Sequence, residues 1–432
     1  LTVSNVESVL GSGGTDTLTF TAGLTGTVIN LGTLNDKLVL SNDGNDFTAS
    51  NVETIVGGTG NDTITFGAAI TGATSLTGGD GVDELRLFNG ANAFTLSDGT
   101  IETITGNAAA DVITLTAAVN GTTYNLAAGL DSLTLGNFTN NITASGIETI
   151  TGNSGADTVT LTTTLSSGVI NLASGTDTLN LSSGVNSFSV SGVEFLNGNS
   201  GSDRITYTTA ITNATVDLGG ATDTLTLATS GTNQVTIVGV ETLIAGGASD
   251  DITLGEVASG MTFNLGAGSD ILRLSGNGAN NVTASGIESI IGGVADDTIT
   301  LALATVGSRL DGGNGDDSLI GSNGADILIG GNGADRFIFR DTLQSSMTVS
   351  DTINDFVVGQ DKLVFEGLGN GTFSIVSSFS NTGNAQATYA YNGGTSTGTL
   401  LIDSDGNGAA DMKLTLLGGS AAALSASDFQ WT

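Results

Sequence analysis

A Glu–Asp pair that recurs along residues 1–309 is the feature that most restricts the fold of this chain. In each copy an Asp follows the Glu by nine residues, and successive Glu residues lie 46 to 49 positions apart. The seven pairs are Glu7/Asp16, Glu53/Asp62, Glu102/Asp111, Glu148/Asp157, Glu194/Asp203, Glu241/Asp250 and Glu288/Asp297. Seven copies at a nearly fixed period predict a repeat architecture.

Each period contains a second Asp, and every Asp of the series begins a short alternating segment. These second residues are Asp36, Asp83, Asp131, Asp177, Asp223 and Asp270. Apolar residues stand two and four positions after each Asp, as Leu18 and Phe20 do after Asp16. This period of two is typical of a strand with one buried face. Because the Asp-to-Asp intervals alternate near 20 and 26 residues, and each is taken as one coil, we expect an all-β chain: a parallel β-solenoid of about fourteen coils with a C-terminal β-rich cap.

A set of Asn residues is predicted to mark the other edge of this solenoid. Each precedes an inward apolar residue by two positions, and stacked amides can hydrogen-bond from rung to rung. The set consists of Asn45, Asn92, Asn140, Asn186, Asn233 and Asn280. A structural role is expected for it.

Three nine-residue units run head to tail within residues 310–339. They read GGNGDDSLI (312–320), GSNGADILI (321–329) and GGNGADRFI (330–338), with Asp at the sixth position and an apolar residue at the eighth. Glycine permits the tight turns, and the residues after each Asp alternate as a short strand does. Nine residues make half a coil, so Asp317 and Asp335 should stack on one edge and Asp326 on the other.

The oxygens of these units suit a hard cation, because Ca²⁺ takes carboxylate and carbonyl ligands. The candidate ligands are Gly312, Asn314, Asp317, Gly321, Asn323, Asp326, Gly330, Asn332 and Asp335. Asp62 and Asp83 extend the set into the upstream repeat. There the loops, such as GGTGND (57–62), depart from the nonapeptide, and a hydrogen-bonded Asp turn without calcium is the alternative.

The nonapeptides resemble the RTX calcium-binding repeat G-G-x-G-x-D-x-U-x. The stretch VSDTINDFVVGQDKLVF (349–365) resembles the segment that follows such repeats in RTX exported proteins. This resemblance implies that Asp351, Asp355 and Asp361 complete a terminal calcium site or cap the open roll. The end LSASDFQWT (424–432) is similar to the C-termini of type I secretion substrates. The resemblance therefore implies calcium as cofactor and a secreted, extracellular or cell-surface location.

A second acidic motif lies near the C-terminus, where LLIDSDGNGAADMKLTL (400–416) predicts two strands around a turn. Asp403, Asp405, Asn407 and Asp411 occupy positions 1, 3, 5 and 9 of an EF-hand-like loop, but position 12 is Leu414 instead of Glu. A calcium site and a hairpin turn without metal both stay open.

The charge balance limits the partners of the chain. Its 43 acidic and 9 basic residues give a net charge of −34, which excludes nucleic acid and anionic membranes as partners, since both attract Lys and Arg. About fourteen Asp residues in one column, about 4.8 Å apart, would repel by roughly 0.9 kcal/mol per pair in water and about 3.5 kcal/mol at a dielectric near 20. Calcium bridging the rungs would convert this repulsion into folding free energy.

No enzymatic constellation is evident in the sequence. His and Cys are absent, so the usual general base and soft-metal ligands are missing. The carboxylates are periodic, which points to architecture. No run of about eighteen apolar residues predicts a membrane span.

We therefore expect three regions: an acidic solenoid (1–309), a nonapeptide β-roll (310–339), and a cap with the secretion-signal region (340–432). The first residues, LTVSNVES (1–8), align with FTASNVET (47–54) and lack an initiator Met, so a longer polypeptide is expected. The leading hypothesis is a calcium-rigidified structural protein that self-assembles in a surface layer or filament. An adhesin stalk and the exported tail of a secreted hydrolase are the alternatives.

Overall fold

The computed structural model describes residues 1–72, 74–302, 306–369, 371–418 and 424–432. These residues form two compact units, Leu1–Asp223 and Thr224–Thr432. Both units consist of short strands and turns, and two short 3-10 helices, Thr342–Ser345 and Ala426–Asp428, are described in the second unit.

The first unit contains twenty-five strands. They are β1 (Thr2–Val3), β2 (Ser8–Ser12), β3 (Thr17–Phe20), β4 (Thr25–Gly32), β5 (Lys37–Val39), β6 (Asp46–Ser50), β7 (Thr54–Val56), β8 (Thr63–Phe66), β9 (Thr71–Gly72), β10 (Ser75–Thr77), β11 (Glu84–Arg86), β12 (Ala93–Leu96), β13 (Thr103–Thr105), β14 (Val112–Leu115), β15 (Asn120–Asn125), β16 (Ser132–Thr134), β17 (Asn141–Ser145), β18 (Thr149–Thr151), β19 (Thr158–Leu161), β20 (Val169–Asn171), β21 (Thr178–Asn180), β22 (Ser187–Ser191), β23 (Phe195–Asn199), β24 (Arg204–Tyr207) and β25 (Ala214–Gly219).

The second unit contains the remaining described strands. They are β26 (Thr224–Thr226), β27 (Gln234–Val238), β28 (Thr242–Ile244), β29 (Asp251–Leu254), β30 (Ser259–Asn264), β31 (Ile271–Arg273), β32 (Asn281–Ser285), β33 (Ser289–Ile291), β34 (Thr298–Leu301), β35 (Arg309–Asn314), β36 (Ser318–Ile320), β37 (Ile327–Asn332), β38 (Arg336–Phe339), β39 (Asp351–Ile353), β40 (Lys362–Phe365), β41 (Ser374–Ile375), β42 (Gln386–Asn392), β43 (Thr397–Asp403), β44 (Met412–Leu417) and β45 (Phe429–Trp431).

Each unit winds its chain into a parallel β-solenoid, as the alternating pattern predicts. Strands that follow one another along the chain enter opposite sheets, and each pairs in parallel with the strand one turn later. Thr17 lies beside Lys37, and Lys37 lies beside Thr54, so one turn takes 20 residues and the next 17. The two units together hold about 17 turns, somewhat more than the fourteen expected.

The difference in coil count has a clear cause. Three strands, β5, β6 and β7, lie between Asp36 and Asp62. An interval of 26 residues is therefore one and a half turns, and the prediction of one coil per interval is wrong for it. Both sheets carry the same alternating pattern, so spacing alone does not separate a full turn from one and a half. As a result, the strands after Glu53 (β7) and after Glu102 (β13) lie in opposite sheets.

The core of each solenoid consists of inward-facing apolar side chains in register. Leu85 of β11 lies beside Ile104 of β13, and neither side chain is exposed. Leu18 and Phe20, which the sequence places two and four positions after Asp16, are also buried. Full burial of each such side chain is worth about 1.5–3 kcal/mol.

The C-terminal strands close the second unit at both sheets. β44 pairs in parallel with β39, and β45 pairs in parallel with β40. An antiparallel meander of β42, β43 and β44 continues the first of these sheets. Edge strands that are covered in this way are protected from pairing with other chains. The predicted β-rich cap is confirmed, whereas the domain boundaries at 309 and 339 stay predictions.

Candidate metal centre

Polar side chains at the beginnings of the strands form internal stacks, one residue from each coil. In the stack Asn92–Asp111–Asp131–Glu148, the backbone N–H of each residue donates to the side chain of the next. Asn92 N lies 2.9 Å from Asp111 Oδ1, Asp111 N lies 2.7 Å from Asp131 Oδ1, and Asp131 N lies 2.9 Å from Glu148 Oε2. The same order recurs in Asn45–Asp62–Asp83–Glu102, Asn140–Asp157–Asp177–Glu194 and Asn233–Asp250–Asp270–Glu288. We call these the mixed stacks.

The prediction that Asn marks a separate edge is wrong. Asn45 Nδ2 donates to Asp62 Oδ1 at 2.7 Å and to the carbonyl of Asp43 at 2.7 Å, so the amide lies directly on the Asp stack. The extra half turn brings Asn onto the edge of the following Asp. The expected single column of Asp is also wrong, because the residues divide between two edges and each mixed stack places two Asp between an Asn and a Glu.

The stack changes composition at the nonapeptides. Asp297, Asp317, Asp335 and Asp361 follow one another on one edge, and we call them the aspartate stack. Their N–H to Oδ1 distances are 2.7, 2.9 and 3.0 Å. On the other edge, Ser308 N donates to Asp326 Oδ1 at 2.7 Å, and Asp326 N donates to Asp351 Oδ1 at 2.8 Å. The predicted stacking of Asp317 with Asp335, opposite Asp326, is confirmed.

Several of these buried side chains retain an oxygen atom without a hydrogen-bond partner. In the nonapeptide region these atoms are Asp317 Oδ2, Asn323 Oδ1 and Asp351 Oδ2. In the repeat they are the Oδ2 atoms of Asp36, Asp62, Asp83, Asp111, Asp131, Asp157, Asp177, Asp203, Asp250 and Asp270. An unpaired buried acceptor costs about 1–3 kcal/mol, and more when it is charged. Each such carboxylate therefore favours a proton or a cation.

The first glycine of each nonapeptide is required by the carboxylate that follows it. A Cβ atom on Gly312 would lie 2.3 Å from Asp317 Oδ2, and one on Gly330 would lie 2.2 Å from Asp335 Oδ2. The corresponding distance from Gly321 to Asp326 Oδ2 is 2.6 Å. The turn therefore packs directly over the carboxylate.

Burial raises the pKa of these carboxyl groups. The pKa of Asp317 rises to about 7, mainly through burial and also through the nearby charges of Asp335, Asp297 and Asp296. The pKa of Asp335 rises to about 6 by burial, with Asp361, Asp355 and Asp316 adding to the effect. Burial raises the pKa of Asp351 to about 9.

The three Asp residues of the following segment all reach the last coils of the roll. Asp351 accepts from Asp326, and Asp361 Oδ1 accepts from Asp335 N at 3.0 Å. Asp355 accepts from two turn N–H groups, Gly330 N at 3.0 Å and Gly331 N at 2.8 Å. The structure thus gathers these predicted residues at the end of the nonapeptides.

The outer surface of the turns carries a second ladder. Asn332 Nδ2 donates to Asn314 Oδ1 at 2.8 Å, so these two candidate ligands lie on successive coils. Asp316 N donates to Asp296 Oδ1 at 2.8 Å, and Ala334 N donates to Asp316 Oδ1 at 2.7 Å. Sequence reasoning missed Asp296 and Asp316, although the doubled Asp in GGNGDD (312–317) and in the upstream VADD (294–297) was a usable signal.

Asp326 differs from Asp317 because Ser322 replaces the second glycine of its nonapeptide. Ser322 N donates to Asp326 Oδ2 at 2.6 Å, and Ser322 Oγ lies 3.2 Å from the same oxygen. Both oxygens of Asp326 are therefore hydrogen-bonded, whereas Asp317 Oδ2 has no partner. The two edges of the roll are chemically unequal.

The EF-hand-like segment forms the turn between β43 and β44. Carboxylate oxygens of Asp403, Asp405 and Asp411 lie within 4.8 Å of one another. The buried Asp403 accepts from Gly406 N at 2.8 Å and Gly408 N at 2.8 Å, which closes the turn without a metal ion. Asn407 Nδ2 donates to Asp405 Oδ2 at 2.9 Å. Leu414 is buried in β44, so position 12 offers no ligand.

Among the residues that the structure describes, no helix is long and apolar enough to span a bilayer. No curated protein matches the chain. A similar solved structure is the AlgE6R3 subunit of the mannuronan C5-epimerase from Azotobacter vinelandii, with 24% identity, a TM-score of 0.21, and coverage of 43% of this chain and 80% of that chain. Residues 3–430 match the family described as Peptidase M10 serralysin C terminal. Since the match spans nearly the whole sequence, the chain belongs to this family of RTX-type repeat proteins.

Proposed function

We propose that this chain is a calcium-stabilised structural module of a secreted protein. The observation that carries the proposal is the buried, unpartnered Oδ2 of Asp317 within four successive carboxylates of the aspartate stack. Neighbouring charges about 4.8 Å apart repel by roughly 3.5 kcal/mol at a dielectric near 20. A divalent cation between the turns would offset both the repulsion and the missing partner.

The donor set fits a calcium ion. Calcium takes six to eight oxygen ligands, and these turns offer carboxylates, Asn side-chain oxygens and backbone carbonyls. The residues that would hold it are Gly312, Asn314, Asp317, Gly321, Asn323, Asp326, Gly330, Asn332 and Asp335. The bound ion would supply positive charge along the stack, and the chain's glycines keep the turns close to the carboxylates.

Two further calcium sites belong to the proposal. Asp351, Asp355 and Asp361 would close the last coil, in keeping with their contacts to the nonapeptide turns. Asp403, Asp405, Asn407 and Asp411 would form a separate site in the β43–β44 turn. The hydrogen-bonded turn without metal competes at this second site.

Calcium-dependent folding would suit export. We infer that the chain stays largely unfolded in calcium-poor cytosol, leaves by type I secretion, and folds outside the cell. Extracellular modules commonly bind calcium near 10⁻⁴–10⁻³ M, and the binding free energy then becomes folding free energy.

Circular dichroism at pH 8 in a chelator and during calcium titration tests the proposal, with Trp431 fluorescence as a second readout. Calcium should restore strand signal in the wild-type chain. An Asp317→Asn/Asp335→Asn variant should need at least tenfold more calcium, whereas the matched exposed pair Asp46→Asn/Asp80→Asn should not. Strand content that is independent of calcium at this pH would refute the proposal.

Within this function, we infer that the module is non-catalytic and self-associates in a surface layer or filament. The absence of His and Cys and the regular placement of the carboxylates support the first inference. Sheets or fibres that form on calcium addition, seen by electron microscopy, would support the second, whereas a monomer by light scattering would contradict it. The family description favours one competing function, the tail of a secreted peptidase, for which a neighbouring catalytic domain is the test.

A further inference from the structure

The mixed stacks differ chemically from the aspartate stack, and the difference concerns their second Asp. In Asn92–Asp111–Asp131–Glu148, Asp111 Oδ1 accepts two donors, Asn92 N and Asn92 Nδ2, at 2.9 and 2.8 Å. Asp131 Oδ1 accepts one, Asp111 N at 2.7 Å. Asp131 is 1% exposed and its Oδ2 has no partner. The second Asp is therefore the less stabilised carboxylate of the pair.

The surroundings of Asp131 offer little to a metal ion. The turn before it reads Ala127-Ala128-Gly129-Leu130 and carries no side-chain oxygen. A Cβ on Gly129 would lie 2.9 Å from both carboxylate oxygens, so the turn packs directly against the group. Calcium requires six to eight oxygen ligands, whereas a proton requires one.

The charged groups that face Asp131 are acidic. They are Asp111 on the preceding coil and Glu148 on the following coil, and both raise the pKa of Asp131. Burial is the larger cause, and the pKa of Asp131 reaches about 6. Asp177 has the same surroundings, with Asp157 before it and Glu194 after it, and its pKa also rises to about 6.

The stack already contains a neutral residue in the same setting. Asn140 Oδ1 accepts from Val119 N at 3.2 Å, as each Asp accepts from the preceding coil, and Asn140 Nδ2 donates to its own turn at Phe138 O, 2.8 Å away. A protonated carboxyl group matches this amide in shape, keeps one acceptor oxygen, and places a hydrogen on the other oxygen. Neutral side chains are thus compatible with the stack.

We propose that the second Asp of each mixed stack is a proton-binding site, so that mild acid folds the upstream solenoid without calcium. The sites are Asp83, Asp131, Asp177 and Asp270. This inference does not rest on calcium binding by the nonapeptides. It divides the chain into coils that acid stabilises and coils that a cation stabilises.

The test uses the full chain in a chelator between pH 5 and pH 8.5, followed by circular dichroism and thermal unfolding. Because the folded pKa is raised, stabilisation by the neutral form should be lost as the pH rises through about 6. Strand signal should therefore appear on acidification, with a midpoint near pH 6. A chelated chain that stays unfolded over the whole range would overturn the inference, yet leave calcium-dependent folding untouched.

The Asp131→Asn/Asp177→Asn variant assigns the residues, with Asp46→Asn/Asp80→Asn as a control that removes the same charge from exposed positions. In a chelator at pH 8 the first variant should raise Tm by roughly 5 °C and flatten the pH dependence; the control should do neither. Equal behaviour of the two variants would overturn the assignment. A calcium-induced Tm increase that is smaller in the first variant than in the control would also overturn it, since these oxygens would then be metal ligands.

Discussion

At the scale of single residues, the stacked carboxylates govern the behaviour of the chain. Each Asp uses one oxygen to accept a backbone N–H from the neighbouring coil, and the second oxygen decides what else is bound. Asp326 fills its second oxygen from Ser322, whereas Asp317 leaves it open. Identical positions in the sequence repeat therefore differ in their demand for a cation.

The glycine that begins a nonapeptide allows a direct prediction. Gly312→Ala places a methyl group 2.3 Å from Asp317 Oδ2, and the resulting overpacking should destabilise the protein by about 1–3 kcal/mol. Gly276→Ala is the control, because a Cβ there meets no atom within 4 Å. Urea unfolding in calcium measures both, and equal midpoints would contradict the packing argument.

Asp351 allows a prediction of pH dependence in the chelated protein. Burial raises its pKa to about 9, so the group is neutral at pH 7 and its stabilisation is lost as the pH rises through about 9. Asp351→Asn should leave Tm at pH 7 nearly unchanged and raise it at pH 9.5. A variant that is less stable than the wild type at both pH values would show that the charged form is required.

At the scale of elements, the pairing of β40 with β45 positions the aromatic residues of the cap. Phe365 is fully buried and stacks on Trp431, with ring centroids 4.5 Å apart, and on Phe339 at 5.6 Å. The cap therefore combines edge protection with a local aromatic core.

Truncation of this core should be costly. Phe365→Ala should destabilise the protein by about 3–5 kcal/mol, because the vacated space lies between coils that cannot collapse independently. Leu343→Ala, at a side chain that is 58% exposed, should change stability by at most about 0.5 kcal/mol. Chemical unfolding in saturating calcium compares the two; similar losses would argue against a cap core.

At the scale of the whole molecule, the calcium proposal predicts where protection from hydrogen exchange will increase. At pH 8, calcium should protect residues 312–361 more than residues 84–200, because the aspartate stack lies only in the former. Mass spectrometry after exchange with and without a chelator measures this. A uniform increase along the chain would favour calcium binding at every coil instead.

Much of this protein follows from its sequence alone. The alternation after each Asp determined the strands and their buried faces, since only one face of a strand such as Thr17–Phe20 can carry Leu18 and Phe20 inward. The nine-residue period determined that Asp317 and Asp335 share an edge, because two units complete one turn of 18 residues. The nonapeptides also identified the family.

Only the tertiary structure decided which coils stack on which. The half turn in each 26-residue interval places Asn, Asp, Asp and Glu in one stack, and residues such as Asn92 and Asp131, 39 positions apart, contribute to it. Strand periodicity is the same on both sheets, so the sequence pattern does not register a half turn. The unpartnered oxygens of the carboxylates, which carry both proposals, depend on that stacking and on the packing of each turn.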